Sequence, residues 1–383
     1  TFISLAAPVQ LEGNFITMFW AAEAVLLLWF AQKSNIELIK NVSLVIFELM
    51  LISLIMDWVN IYSDLSSEIP LVILLNKGFI TGCISIVSVV LYSSLLKKET
   101  DSRFMWNRIN ARHILTSATI VLPVLIYMVL LLELNYQVFK RVNYTEAVAV
   151  SVGIYNFLFL IAAWHIYFKN SAAAGKLMFR MLAVIMLILY GVVYNPAVIH
   201  SRNDMLVHMP LAGLFYFLHF IMAAAALYIV YLYYKVAVNY DKRSFLTMEK
   251  WASVFFLVYL LSAELDHVFG WLLYKEGMDI FAIVRQIHKT GYSVLWGVIS
   301  FVLIRAGMKQ KDRMMRIIAL SLFSLTLLKL FLIDIKGISE GGKILAFISL
   351  GIILLVVSFM YQRLKKLLLE DEAAKTESEN ESH

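Results

Sequence analysis

Eleven apolar segments, each long enough to cross a bilayer, divide this chain, and its positive charge concentrates in alternate connections between them. About 20 apolar residues in a helix span a hydrocarbon core of roughly 30 Å. Such segments read at 15–31, 41–61, 78–96, 113–133, 146–168, 178–195, 209–234, 250–274, 287–304, 315–334 and 343–362. The odd-numbered connections and the C-terminal flank hold 22 Lys and Arg residues, against 9 in the even-numbered connections. By the positive-inside rule the odd connections and the C-terminus are cytoplasmic, which places the start of the chain outside.

A hydrophobic share of 61% and a charged share of 16% lie well away from the soluble norm of about 45–50% and 25%. Lipid, rather than a water-excluding core, covers most of such a chain. The net charge of +6 follows from the basic cytoplasmic loops, so it is no sign of nucleic-acid binding. Cys83 is the one cysteine and lies within an apolar segment, which excludes an intramolecular disulfide and a cysteine-rich metal site. Residues 1–7 (TFISLAA) are apolar, and Pro8 breaks the run without a basic n-region or a small-residue cleavage site. This start reads as the tail of an earlier helix, so at least one further span is expected upstream.

The predicted fold is all-α: a polytopic transmembrane bundle over residues 1–363, built of two-helix hairpins, followed by an acidic, polar tail (364–383) expected to be disordered. The first and fifth hairpins resemble each other. Trp20 precedes Asp57 by 37 residues, and Trp296 precedes Asp334 by 38. Pro123 falls inside the fourth segment and predicts a kink there.

An ionisable side chain within a span costs about 2.5–3.5 kcal/mol on insertion scales and usually faces protein or a wet cavity. Glu23 is ten residues from Lys33, and Glu264 is eleven from Lys275, so each sits roughly 15 Å or more from its basic flank. Unpaired, both carboxylates would be largely protonated. Glu264 and His267 are three apart and share a helix face. His219 is eleven residues past His208. These four residues, Glu23, His219, Glu264 and His267, are the candidates for proton or charge handling. Each also has a structural reading: a neutral acid bonded between helices, or a neutral histidine bonded to a neighbouring helix.

A second group gathers toward the outer face. Arg285, His288 and Lys329 have the chemistry to hold a phosphate or carboxylate, and Asp57, Asp266 and Asp334 are acids placed to pair with them. Alternatively Lys329 snorkels to the interface, and the rest are ordinary solvated loop residues. Glu264-x-x-His267 resembles half of a carboxylate-bridged di-metal site, but no second Glu-x-x-His occurs, so neither a metal nor a cofactor is expected. There is no glycine-rich phosphate loop, Gly-x-Ser-x-Gly, His-Glu-x-x-His or Cys-x-x-Cys. An enzymatic role therefore finds no motif to rest on.

From about 290 to 363, Trp296, Arg305, Gly307, Arg316, Lys329, Asp334, Gly351 and Tyr361-Gln362-Arg363 follow one another in a pattern that resembles the C-terminal signature of a bacterial predicted-membrane-protein family. That family is known only as a domain of unknown function (DUF twenty-three thirty-nine). FWAAEAVLLLWFA, with Trp20 and Glu23, resembles an earlier block of the same family. The resemblance implies a multi-pass protein of the bacterial inner membrane, with relatives that are longer, and it supplies no activity. Three functions stay open. An outward-facing polar cavity could bind or translocate an anionic envelope lipid or lipid-linked glycan. The bundle could be a non-catalytic scaffold for other membrane proteins. Or Glu23, His219 and Glu264 could serve a proton-coupled transporter.

Overall fold

Hydrocarbon offers no water to backbone N–H and C=O groups, so a chain of this composition must satisfy them within helices. The fold is seen in a computed structural model, which describes residues 10–63, 69–98, 103–105, 109–240, 243–330 and scattered positions between 340 and 355. The helices are α1 (Asn14–Ser34), α2 (Glu37–Ser63), α3 (Lys77–Leu96), α4 (Ala111–Arg141) and α5 (Ala147–Ala163, prolonged by a π-turn at Trp164–Phe168). Next come α6 (Ala173–Leu189), a π-turn (Tyr190–Tyr194), α7 (Asn195–Leu206), α8 (Ala212–Tyr240), α9 (Arg243–Leu273), α10 (Ile280–Gln286), a π-turn (Ile287–Gly291), α11 (Tyr292–Lys309) and α12 (Arg313–Lys329). A ribbon of two short antiparallel strands, β1 (Arg103–Phe104) and β2 (Ile109–Asn110), is the sole departure among the described residues.

The all-α polytopic fold read from the sequence is the one observed. Among the described residues, nine helices are long and apolar enough to cross a membrane, and α12 is the described part of the tenth expected span. The eleventh span, at 343–362, lies mostly outside the described residues, as do the acidic tail and Asp334. Several helices run past the apolar segments read from the sequence. The sixth read as 178–195 but runs through Ala173–Leu206. Pro196 does not end it: the π-turn at 190–194 precedes this residue and leaves it in the first turn of α7, where its missing N–H breaks no bond. Helix α4 continues through Pro123 for 31 residues.

Exposed apolar side chains are abundant: Ile166 is 83% exposed, Leu75 74% and Phe255 66%. In water a surface of this kind would drive association; against lipid tails it is the expected covering.

Two compact units divide the chain between Tyr155 and Asn156, within α5. In the first, α1 buries Asn14, Thr17, Ala21, Ala24, Leu28 and Ala31. That is an alternating three–four spacing, which keeps one narrow seam facing its neighbours. Most of these side chains are small, as close packing between membrane helices requires. Thr17 reaches α2 through Ser53 and Asp57, each at 2.5 Å. On α3, Ser88 donates to the Ala21 carbonyl at 2.7 Å, and Asn14 donates to Thr81 at 3.4 Å. A Cβ on Gly82 would lie 2.5 Å from a Val129 methyl of α4, so only glycine allows that approach.

Glu133 is a buried acid of this unit with several partners. Its carboxylate accepts from Asn76 Nδ2 (2.6 Å), Gln137 Nε2 (2.8 Å), the Leu74 backbone N–H (2.9 Å) and Tyr62 Oη (3.0 Å). Gln137 and Arg141 also donate to the Leu71 carbonyl, at 3.2 and 2.8 Å. One buried carboxylate thus ties the α2–α3 connection onto α4. Glu133→Leu strands several of these donors and should cost roughly 2–4 kcal/mol, read as a lower melting temperature in detergent; an unchanged melting temperature would remove Glu133 from this role.

In the second unit, Asp312 caps α12, accepting from the backbone N–H groups of Met314 (3.0 Å) and Met315 (3.2 Å) and from Lys250 Nζ of α9. Burial works against its charged form. The Lys250 bond and the two N–H groups more than offset that, and hold the carboxyl below its ordinary value of 3.8. A depressed pKa contributes stability that is complete above the unfolded value and is lost as pH falls through the folded one. On acidification below about pH 4 the wild type should therefore lose more stability than Asp312→Asn. Parallel acid melting profiles of the two would refute this.

Candidate functional site

Fewer than two turns of α9, Ser262 to His267, carry Ser262, Glu264, Asp266 and His267 in a largely apolar stretch of the helix. Positions 262 and 266 are one turn apart, and 264 and 267 are three apart, so they form two faces. The hydrogen bonds respect that division. Ser262 and Asp266 meet the segment from His288 to Trp296. Glu264 and His267 meet side chains of Tyr190, Asn195 and His219.

On the second of these faces, Tyr190 Oη donates to Glu264 Oε1 at 3.0 Å, while Glu264 Oε2 lies 3.3 Å from His219 Nε2. His219 Nδ1 is bonded to the Tyr216 carbonyl. A carbonyl only accepts, so Nδ1 carries the proton and, in the neutral ring, Nε2 presents a lone pair. His267 Nε2 lies 2.9 Å from Asn195 Oδ1, and Asn195 Nδ2 donates to Tyr259 Oη at 3.2 Å. That arrangement makes Nε2 the donor and leaves a lone pair on His267 Nδ1, a buried atom without a partner. Both histidines are buried, and Glu264 is 17% exposed. One ligand atom each of His219, Glu264 and His267 lies within 4.8 Å of the others.

Local structure delivers these groups. The π-turn at 190–194 carries Tyr190 at its start and hands over to Asn195 and Pro196. An extra residue per turn re-aims the side chains around it, which is why such turns recur at functional sites.

The opposite face is built the same way. The π-turn at 287–291 carries His288, whose Nε2 lies 2.8 Å from Asp266 Oδ2. Tyr292 Oη donates to the same oxygen at 2.6 Å, and Trp296 Nε1 donates to Ser262 Oγ at 2.9 Å. Lys329 Nζ, from α12, donates to the His288 carbonyl at 2.7 Å and lies 6.0 Å from the Trp296 ring centroid. Arg202 of α7 donates to the Asp266 carbonyl at 2.9 Å, and Tyr216 to the His267 carbonyl at 2.9 Å.

The chain matches, over residues 1–364, the family described as "Predicted membrane protein (DUF2339)". It belongs to that family. The match takes in the middle of the chain as well as the C-terminal stretch on which the resemblance was read. No curated protein and no solved structure matches it.

In this DUF2339 member the structure gathers three of the four charge-handling candidates, His219, Glu264 and His267; Glu23 is a half-buried residue of α1 in the first unit. Of the anion-binding candidates, Lys329 and His288 meet, whereas Arg285 is 66% exposed and pairs with Asp279 at 3.4 Å. Asp266 is the acid that pairs with His288, and Asp57 accepts from Thr17. Four groups escaped sequence reasoning: Tyr190, Tyr259, Tyr292 and the side chain of Asn195 as a bond to His267. Tyrosines are common in apolar spans, and nothing in their spacing marks them. A cavity of about 270 Å³ opens at the ends of α7 and α9, lined by Met205, Leu206, His208, Trp271, Tyr274 and Glu276.

Proposed function

We propose that this protein binds the anionic headgroup of an envelope lipid or lipid-linked glycan at the sparsely basic, outward end of its second unit, for transfer or translocation across a bacterial inner membrane. The observation that carries this reading is the meeting of Lys329 with the His288 carbonyl and the Trp296 ring, with Tyr292 packed between those two residues. A lysine and a histidine supply charge-assisted donors to phosphate or carboxylate. Tyrosine and tryptophan suit the headgroup level, where one side of a ring is apolar and the other wet. The aromatic cavity at Trp271 and Tyr274 adds room for an amphiphile at the ends of α7 and α9.

A second reading, proton-coupled transport, draws support from the 3.3 Å approach of His219 to Glu264 within the spans, a pair suited to carrying a proton.

Native mass spectrometry of protein purified in mild detergent tests the first reading. The wild type should carry a discrete anionic lipid or lipid-linked glycan. Lys329→Ala and Lys329→Ala/His288→Ala should lose it by about tenfold or more while keeping the wild-type melting temperature, a lost charged bond being worth about 1.5–3 kcal/mol. Equal adducts on all three proteins, or none on the wild type, would sink the reading.

A further inference from the structure

We propose that His219, Glu264 and His267 form a mononuclear site for a divalent transition-metal ion, zinc(II) being the ion they suit best. The site lies on the α9 face opposite Asp266 and does not depend on the headgroup reading.

The argument begins with the unshared electron pairs. His219 Nδ1 is committed to the Tyr216 carbonyl, His267 Nε2 to Asn195 Oδ1, and Glu264 Oε1 to Tyr190 Oη. Each of the three residues is therefore oriented by a different neighbour through one atom and keeps one other ligand atom uncommitted to that neighbour. This is the outer-shell pattern that metal ligands require: the second ring nitrogen or carboxylate oxygen is hydrogen-bonded, which sets the tautomer and holds the ring. What remains at the centre is two imidazole lone pairs and a carboxylate oxygen. Three acceptors facing one another are repulsive unless a cation joins them. A proton between His219 and Glu264 satisfies that pair, and it leaves His267 Nδ1 as it stands, buried and without a partner. A metal ion satisfies all three.

Two neutral imidazoles and one carboxylate form a ligand set typical of zinc, with metal–ligand distances of about 2.0–2.2 Å. Ligand atoms around a tetrahedral ion are then about 3.3 Å apart. His219 Nε2 and Glu264 Oε2 are already at 3.3 Å. One ligand atom of each residue lies within 4.8 Å of the others, so closing the set to that spacing requires a movement of up to about 1.5 Å, within the reach of side-chain torsions. The ion would add two positive charges against one carboxylate, and Arg202, bonded to the Asp266 carbonyl on α9, adds another nearby. Anionic character in a fourth ligand offsets that excess, and the Glu264 side, 17% exposed, is the side from which ion and fourth ligand can enter.

The test uses the full chain, without a polyhistidine tag, purified in mild detergent, stripped with EDTA and titrated with zinc sulfate. The wild type should retain one zinc per chain by elemental mass spectrometry after desalting, and its melting temperature should rise on loading. Glu264→Gln and His267→Gln should each weaken zinc binding by at least about 100-fold. Asn195→Ala, which only orients His267, should weaken it by about 10–100-fold, the usual cost of losing an outer-shell partner. X-ray absorption at the zinc edge of the loaded wild type should show two imidazole ligands, and this decides the matter if the variants do not fold. No retained zinc, equal zinc on wild type and folded variants, or a spectrum without imidazole scattering would each overturn the proposal.

Discussion

The polar cluster of the second unit is arranged around a shortage of water. A polar group in a lipid-covered bundle has no solvent to fall back on and must find a partner among its neighbours. Four polar residues within six positions of α9, Ser262 to His267, create that demand at one level of the bundle. The surrounding segments meet it in turn: Tyr190 and Asn195 from one side, His219 from α8, Arg202 from α7, and His288, Tyr292 and Trp296 from the other side. Individual bonds between membrane helices average only about 0.6 kcal/mol. Their importance here is positional: they fix which face of each helix looks inward.

The π-turns belong to the same argument. A regular helix repeats its facing every 3.6 residues, and Tyr190 and Asn195, five apart, would not both serve the Glu264/His267 face. The π-turn at 190–194 slows the winding enough to bring both to it. The turn at 287–291 stands at His288, where the Asp266 face needs it. In both places the irregular backbone keeps a bond of its own, Asn195 N–H to the Tyr190 carbonyl and Tyr292 N–H to the Ile287 carbonyl, as a membrane setting requires.

Much of this was legible in the residues alone. Hydropathy and length located the spans, since the bilayer imposes a minimum length that few other settings do. The cost of burying charge drew attention to Glu264, His267, His219, His288 and Lys329 before any contact was known. The pairing rule at three residues put Glu264 and His267 on one face, as observed. Contacts between distant helices were not legible. Nothing in the spacing of Tyr190 or Tyr292 distinguishes them from tyrosines that merely fill an interface, and Arg285, one helical turn from His288 in the sequence, looked equally suited to an anion. The structure separates the two because Asp279, the cap of α10, holds Arg285 at the exposed start of the segment.

Two glutamates within apolar helices show why depth by itself does not mark a functional acid. Glu133 in the first unit and Glu264 in the second both sit in helices among apolar neighbours. Glu133 is surrounded by donors: two side-chain amides, a phenol and a backbone N–H fill both of its oxygens. Its charge is answered where it stands, and adding a proton or a cation would displace bonds already made. Among the described residues Glu264 receives one donor, Tyr190, on one oxygen, and turns the other toward His219 Nε2, in a ring whose proton is spent on the Tyr216 carbonyl. The first arrangement is complete and serves to tie a loop to a helix. The second is complete only when something positive enters it, and that difference in donor count, rather than depth in the membrane, is what sets Glu264 apart.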